Sequence, residues 1–198
     1  MRHAVSHLKK SDPVLAAIIE RVGPCKLTFR EPTFESMVRS IAFQQLNGKA
    51  ARSIYDRLVA AAGGSLTPES ILALTPDKMR AAGLSRQKLS YIRDLAERTK
   101  SGEIDFARLP EMSDEKVIEH LTRVKGIGVW SAQMFLMFAL RRPNVLPTAD
   151  YGVRAAIKKH YRKRKLPDHN YIVKLARAWH PYCSVACWYL WRSGETTI

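Results

Sequence analysis

Leu121-Thr122-Arg123-Val124-Lys125-Gly126-Ile127-Gly128-Val129-Trp130-Ser131-Ala132 is the stretch that decides the fold. A helical pattern carrying Val117, Ile118 and Leu121 stops here, a turn with two closely spaced glycines follows, and the strongly apolar segment Val129 to Leu140 begins at once. Gly126 and Gly128 are expected to take backbone angles closed to other residues. Their N–H groups would converge on one anionic oxygen at the positive end of the following helix, with Ile127 anchoring the turn in the core. An ordinary corner between two helices, with convenient glycines, fits the same residues.

Outward from this turn the chain reads as helices joined by short connections. Asp12-Pro13 is an N-cap followed by proline at the first helical position, and Val14, Leu15, Ile18, Ile19 and Val22 form the apolar stripe behind it. Phe34, Met37, Val38 and Ile41 predict a helix from Glu35 to about Gln44, which Asn47-Gly48 separates from another carrying Ala51, Ile54, Tyr55, Leu58 and Val59. Thr67-Pro68-Glu69 and Thr75-Pro76-Asp77 each open a short helix, Ser85 caps one from Arg86 to about Lys100, and Ser113 caps the helix leading to the glycine turn. Further helices are predicted near Tyr151 to Tyr161, Tyr171 to Trp179 and Cys183 to Trp191. No strand pair and no fixed-period repeat is legible, so the fold class is all-α.

The composition narrows the partner. The 198 residues hold 33 Lys and Arg against 18 Asp and Glu, a net charge of +15, which calls for an anionic partner. Nucleic acid is the usual one, although ribosomal and membrane-surface proteins share the footprint. The densest basic run is Arg154, Lys158, Lys159 and Arg162 to Lys165, either a solvated helix end or a phosphate-facing patch. Three cysteines, Cys25, Cys183 and Cys187, make a poor disulfide framework and point to a reducing compartment. Cys183 and Cys187, one helical turn apart, have no nearby third and fourth metal ligand, so buried thiols are the preferred reading. Met1 to Lys10 lack the apolar run of a signal peptide, and Ala132 to Leu140 is far too short to span a bilayer.

Leu146-Pro147-Thr148-Ala149-Asp150-Tyr151 places a carboxylate at the start of a predicted helix. A simple N-cap aspartate and a chemically active one read alike. The glycine turn resembles the helix-hairpin-helix element of DNA-binding proteins. Gly-Ile-Gly, a helix and then Pro-x-x-Asp-Tyr together resemble the helix-hairpin-helix DNA glycosylase superfamily, most closely its 3-methyladenine DNA glycosylase II group, the AlkA-type enzymes. Ile41-Ala42-Phe43-Gln44-Gln45-Leu46-Asn47 is similar to that family's Gln-Gln segment, Gly83-Leu84-Ser85-Arg86-Gln87-Lys88 to its mid-chain turn, and Pro181 to Arg192 to its C-terminal helix. The likeness runs from about Asp12 to Arg192.

The resemblance implies one domain of two helical lobes, roughly 30–122 and 1–29 plus 123–198, with an active-site cleft between them. It implies a base excision repair enzyme whose partner is double-stranded DNA containing a damaged base, acting as a monomer without a membrane, in the nucleoid of a bacterium or the nucleus of a eukaryote. Asp150 would be the catalytic carboxylate, stabilising oxocarbenium character on the sugar and orienting the attacking water. Trp130, Met134, Tyr151 and Trp191 would wall the pocket for the flipped base, where a π-face suits an electron-poor alkylated purine. Trp188 and Tyr189 are read as core. Lys125, Gly126, Ile127, Gly128 and Val129 would grip phosphate, and Gln45, with Leu46 and Asn47, would fill the gap left in the duplex. The backbone carbonyls of Thr122, Val124 and Gly126 match places where the family holds a structural Na+ or K+.

Two departures within the superfamily sharpen the expectation. Bifunctional members carry a lysine just after the hairpin, where Trp130 stands here between Val129 and Ser131, so the enzyme is expected to be monofunctional, without lyase activity. The endonuclease III branch carries four C-terminal cysteines, which Cys183 and Cys187 do not supply, so no iron–sulfur cluster and no required cofactor is expected. No counterpart is expected for the α/β domain that precedes this region in larger AlkA relatives, and a narrower substrate range is expected with it. Two alternatives stay open: a non-catalytic damage-binding protein, and a relative specific for hypoxanthine, ethenoadenine or oxidised bases.

Overall fold

The structure is a computed structural model and describes residues 1–46 and 48–195. All regular elements among the described residues are helical: α1 (Arg2–Ser11), α2 (Pro13–Val22), α3 (Phe34–Phe43), α4 (Gly48–Ala61), α5 (Pro68–Ala73), α6 (Pro76–Ala81), α7 (Arg86–Lys100), α8 (Asp114–Thr122), α9 (Val129–Phe138), α10 (Tyr151–His160), α11 (His169–Ala176) and α12 (Cys183–Glu195), with 3-10 turns at Leu109–Glu111 and Arg177–Trp179. The all-α expectation holds. The chain divides into two compact units, Met1–Phe29 with Arg141–Ile198, and Arg30–Leu140. The change of unit therefore falls at Leu140, whereas the sequence placed it at 122. The glycine turn and α9 stay with the segment before them because α8 and α9 pack on each other.

The caps explain most boundaries. Asp12 accepts from the amides of Val14 and Leu15, Ser85 from Lys88, and Ser113 from Lys116. Thr33 and Thr67 each form a reciprocal capping pair, with Ser36 and Ser70. The sequence reading missed α1. Its apolar pattern is thin, and only Ala4 and Leu8 are buried. Its partners, α2, α12 and the turn at Arg177–Trp179, are what make it a helix.

In the unit built from both chain ends, α12 packs against α2 and α10. Cys183, Cys187 and Tyr189 are fully buried there, and Trp188 nearly so, which bears out the core reading of both aromatics. Burial pushes the Cys183 thiol up to about 12 and the Cys187 thiol well above its ordinary value. The keystone is Asp12, 4% exposed. Its second carboxyl oxygen accepts from the Tyr161 hydroxyl at 2.6 Å and the Trp179 indole N–H at 2.8 Å, so one side chain ties α2 to the end of α10 and to the turn before α12. Burial, then Asp12, pushes the Tyr161 phenol far up and keeps it a donor.

In the other unit α7 is central, packed against α3, α5 and α6. Met37, Ile41, Leu58, Ile71, Met79, Ile92, Leu95 and Leu136 form its core. The expectation that Val129 to Leu140 is a buried helix holds only past its first turn. Ala132, Phe135, Leu136 and Met137 are buried, but Val129 and Trp130 stand out at 54% and 47% exposed.

Candidate active site

Asp150 turns out to be an N-cap and more. Its Oδ1 accepts from the Val153 amide at 2.7 Å, capping α10, and from the Trp191 indole N–H at 2.8 Å. Two donors on one oxygen fix the plane and direction of the carboxyl group. The indole reaches it because residue 152 is glycine. A Cβ there would lie 2.9 Å from Trp191 Cδ1 and 3.2 Å from both Trp191 Nε1 and Asp150 Oδ1. Trp191 is thus an orienting donor to Asp150, whereas the resemblance implied only a pocket wall. Gly152 was missed altogether, since a glycine inside a helix leaves no signal until its cross-helix neighbour is known. Tyr151 is 72% exposed on the first turn of α10.

The glycine turn partly departs from expectation. Gly126 does take a left-handed conformation, φ +78, and a Cβ there would be driven into the Tyr91 ring of α7. Gly128 does not: its φ is −93 and ψ 175, open to any residue, and nothing lies within 4 Å of where its Cβ would be. What glycine supplies at 128 is an unobstructed backbone. The Ile127 amide is used internally, on the Val124 carbonyl at 3.1 Å, while its side chain is buried as expected. The amides of Gly126 and Gly128 have no partner among the described residues and sit at the N-terminus of α9, where the helix dipole favours an anion. Lys125 extends beside them, its side chain 65% exposed and its amine 3.8 Å from Asp94.

The Val124 carbonyl carries the Ile127 bond and the Gly126 carbonyl accepts from the Gln44 side-chain amide at 3.1 Å. Each keeps a second lone pair, so with Thr122 the set retains the neutral oxygen donors that suit a hard monovalent cation. Among the described residues no three His, Cys, Asp or Glu side chains gather as metal ligands.

A cavity of about 570 Å³ lies beside the turn. Trp130, Met134, Gln45 and Gly126, four of the expected site residues, line it, together with Phe43 and Gln44 just before the expected wedge and with Arg30, which the sequence did not flag. Burial, then Arg39, lowers the Arg30 guanidinium from its ordinary value. Of the expected wedge, Gln45 is exposed in a left-handed conformation, φ 55, and Leu46 is 41% exposed. Asn47 lies outside the described residues.

Residues 38–181 match the family described as HhH-GPD superfamily base excision DNA repair protein. The chain is 34% identical to DNA-3-methyladenine glycosylase 1 of Schizosaccharomyces pombe, over 96% of this chain and 86% of that one. It is 33% identical to the putative DNA-3-methyladenine glycosylase YfjP of Bacillus subtilis, over 98% and 70%. Among solved structures, a DNA-3-methyladenine glycosidase from Bacillus halodurans superposes with a TM-score of 0.86 at 39% identity, covering 98% of this chain and 89% of that one. The Schizosaccharomyces pombe 3-methyladenine DNA glycosylase in complex with abasic DNA superposes with 0.85 at 34% identity, covering 98% of each. The chain belongs to the HhH-GPD superfamily of base excision DNA repair proteins. Its activity class within that family is DNA glycosylase.

Proposed function

We propose that the protein is a monofunctional DNA glycosylase that excises alkylated purines of the 3-methyladenine and 7-methylguanine type from double-stranded DNA. The observation that carries this is Asp150, oriented by two donors on one oxygen. Its negative charge stabilises the oxocarbenium character that builds on the deoxyribose as the N-glycosidic bond lengthens, and its carboxyl group aligns the water that completes hydrolysis. The Gly126 and Gly128 amides and Lys125 hold a backbone phosphate, and a cation on the Thr122, Val124 and Gly126 carbonyls would add positive charge there. Gln45 and Leu46 occupy the space the nucleotide leaves. The exposed Trp130 ring stacks on the extruded base, which gains from carrying positive charge. The names of the relatives support this substrate class. Trp130, standing where lyases of the superfamily carry lysine, supports hydrolysis without strand cleavage. Such an enzyme works as a monomer wherever the cell keeps its DNA; no helix among the described residues is long and apolar enough to cross a membrane.

A second reading has its own support. Arg30 lines the same cavity as Trp130. A guanidinium there opposes a cationic base and suits a neutral purine with a carbonyl acceptor, such as hypoxanthine. A panel of duplexes, each with one defined lesion, separates the two. The expected outcome is free-base release from 3-methyladenine or 7-methylguanine DNA, with strands intact until alkali is added. Release from hypoxanthine alone would establish the second reading. Strand breaks without alkali would contradict the monofunctional assignment, and damage-specific binding without release from any lesion would contradict catalysis.

A further inference from the structure

The helix beneath the glycine turn does something that neither the turn nor the wedge explains. Lys88, Tyr91 and Asp94 follow one another at three-residue intervals along α7, so they form a continuous stripe. Lys88, half-buried, sends its amine to the last carbonyls of α3, donating to Ala42 O at 2.8 Å and Gln44 O at 2.6 Å. These are groups a helix C-terminus leaves without partners. Tyr91 fills the space under Gly126 that any side chain there would need. Asp94, 8% exposed, accepts from the Lys125 amide at 2.9 Å while Arg98 binds the same oxygen at 3.0 Å. The Gln44 amide closes the circuit on the Gly126 carbonyl.

We propose that Lys88, Tyr91 and Asp94 form a bracket on α7 that locks the Gln44–Gln45 turn to the Lys125–Gly126 turn, with Lys88 as the positioning residue that keeps the wedge at a fixed reach from the clamped phosphate. This rests on the glycosylase reading for the roles of the two turns. The physical need for such a bracket is clear. Gln45 holds a left-handed backbone conformation, which a non-glycine residue keeps only where its surroundings over-determine it. The two carbonyl–ammonium bonds beside it do that. A wedge held in place beforehand enters the duplex without first having to be ordered, so its insertion energy goes into opening the base pair. A loose one spends that energy on its own ordering. Burial lowers the Lys88 pKa from its ordinary value, consistent with an amine committed to protein carbonyls rather than to solvent.

The test is Lys88→Met, which keeps the aliphatic stem and removes the donors. Two readouts are needed: the fluorescence rise of 2-aminopurine set opposite an abasic site in duplex DNA, and base release from the same lesion paired in duplex or unpaired in single strands. The variant should bind the duplex but lose most of the fluorescence rise. Its release rate from the paired lesion should fall about tenfold more than from the unpaired one, and Lys88→Arg should restore much of both. Gln44→Leu, which removes only the bridge to Gly126, should shift the same ratio in the same direction and serves if Lys88→Met does not fold. Equal loss on paired and unpaired lesions, or an unchanged fluorescence rise, would overturn the bracket. A wild-type protein that releases no base but gives the fluorescence rise would instead count against the glycosylase reading alone, with the Lys88→Met fluorescence still deciding the bracket.

Discussion

At Asp150 one side chain carries a structural bond and the proposed chemistry together. One carboxyl oxygen caps α10 and receives the Trp191 indole, so the charge is fixed in place by the bonds that fold the helix. Gly152 permits this, and substitution there separates the two roles. Gly152→Ala places a methyl group 2.9 Å from Trp191 Cδ1, which forces the indole off the carboxyl oxygen. Alanine also favours the helix by about 1 kcal/mol, so thermal stability should change little. The turnover rate should fall roughly tenfold to a hundredfold from misplacement of the charge, with KM nearly unchanged. Steady-state kinetics beside a thermal melt would check this, and wild-type turnover in that variant would show that the indole bond is dispensable.

Elements were legible where their signals are local. Thr67-Pro68, Thr75-Pro76, Ser85 and Ser113 marked helix starts correctly because a cap is set by residues within one turn of it. Helix α1 was not legible, since it owes its existence to partners far along the chain. The glycine turn was found, yet Gly126 and Gly128 were given the same role. Only Gly126 has a left-handed backbone, and its glycine answers to Tyr91, thirty-five positions earlier. The contacts of Lys88 with α3, of Asp94 with Lys125 and of Trp191 with Asp150 likewise join residues 31 to 46 positions apart, beyond the reach of periodicity or spacing. Resemblance supplied Asp150, Trp130 and Trp191 as names, and geometry supplied what the last of these does.

For the molecule as a whole, charge is unevenly shared. The unit formed by Met1–Phe29 and Arg141–Ile198 holds 17 Lys and Arg against five acidic residues, whereas Arg30–Leu140 holds 16 against 13. Most of the positive surplus thus lies in the unit that carries Asp150, which suits the role proposed for that carboxylate beside a polyanion. The same surplus bears on stability. Burial, then Arg21 and Lys159, hold the His160 pKa below its ordinary value. Its Nε2 donates to Ser193 Oγ at 2.9 Å, because the Ser193 proton goes to the Leu190 carbonyl at 2.6 Å. An unfolded histidine titrates near about 6.5. Below that pH the unfolded chain binds a proton that the native protein still refuses, so stability falls as the solution is acidified from about 6.5. His160→Gln keeps a donor for Ser193 and has no proton to gain. Its melting temperature should therefore drop less than the wild type's between about pH 7 and pH 5.5, and equal drops would remove His160 from the acid sensitivity.

The negative charge on Asp150 is the centre of this account, and Asp150→Asn isolates it. Asparagine keeps an acceptor for the Val153 amide and for the Trp191 indole and caps a helix about as well as aspartate, so folding and DNA binding should persist. Single-turnover release of 3-methyladenine from duplex DNA should fall at least about a hundredfold in this variant. Release at the wild-type rate by a protein with a normal melt would contradict the account.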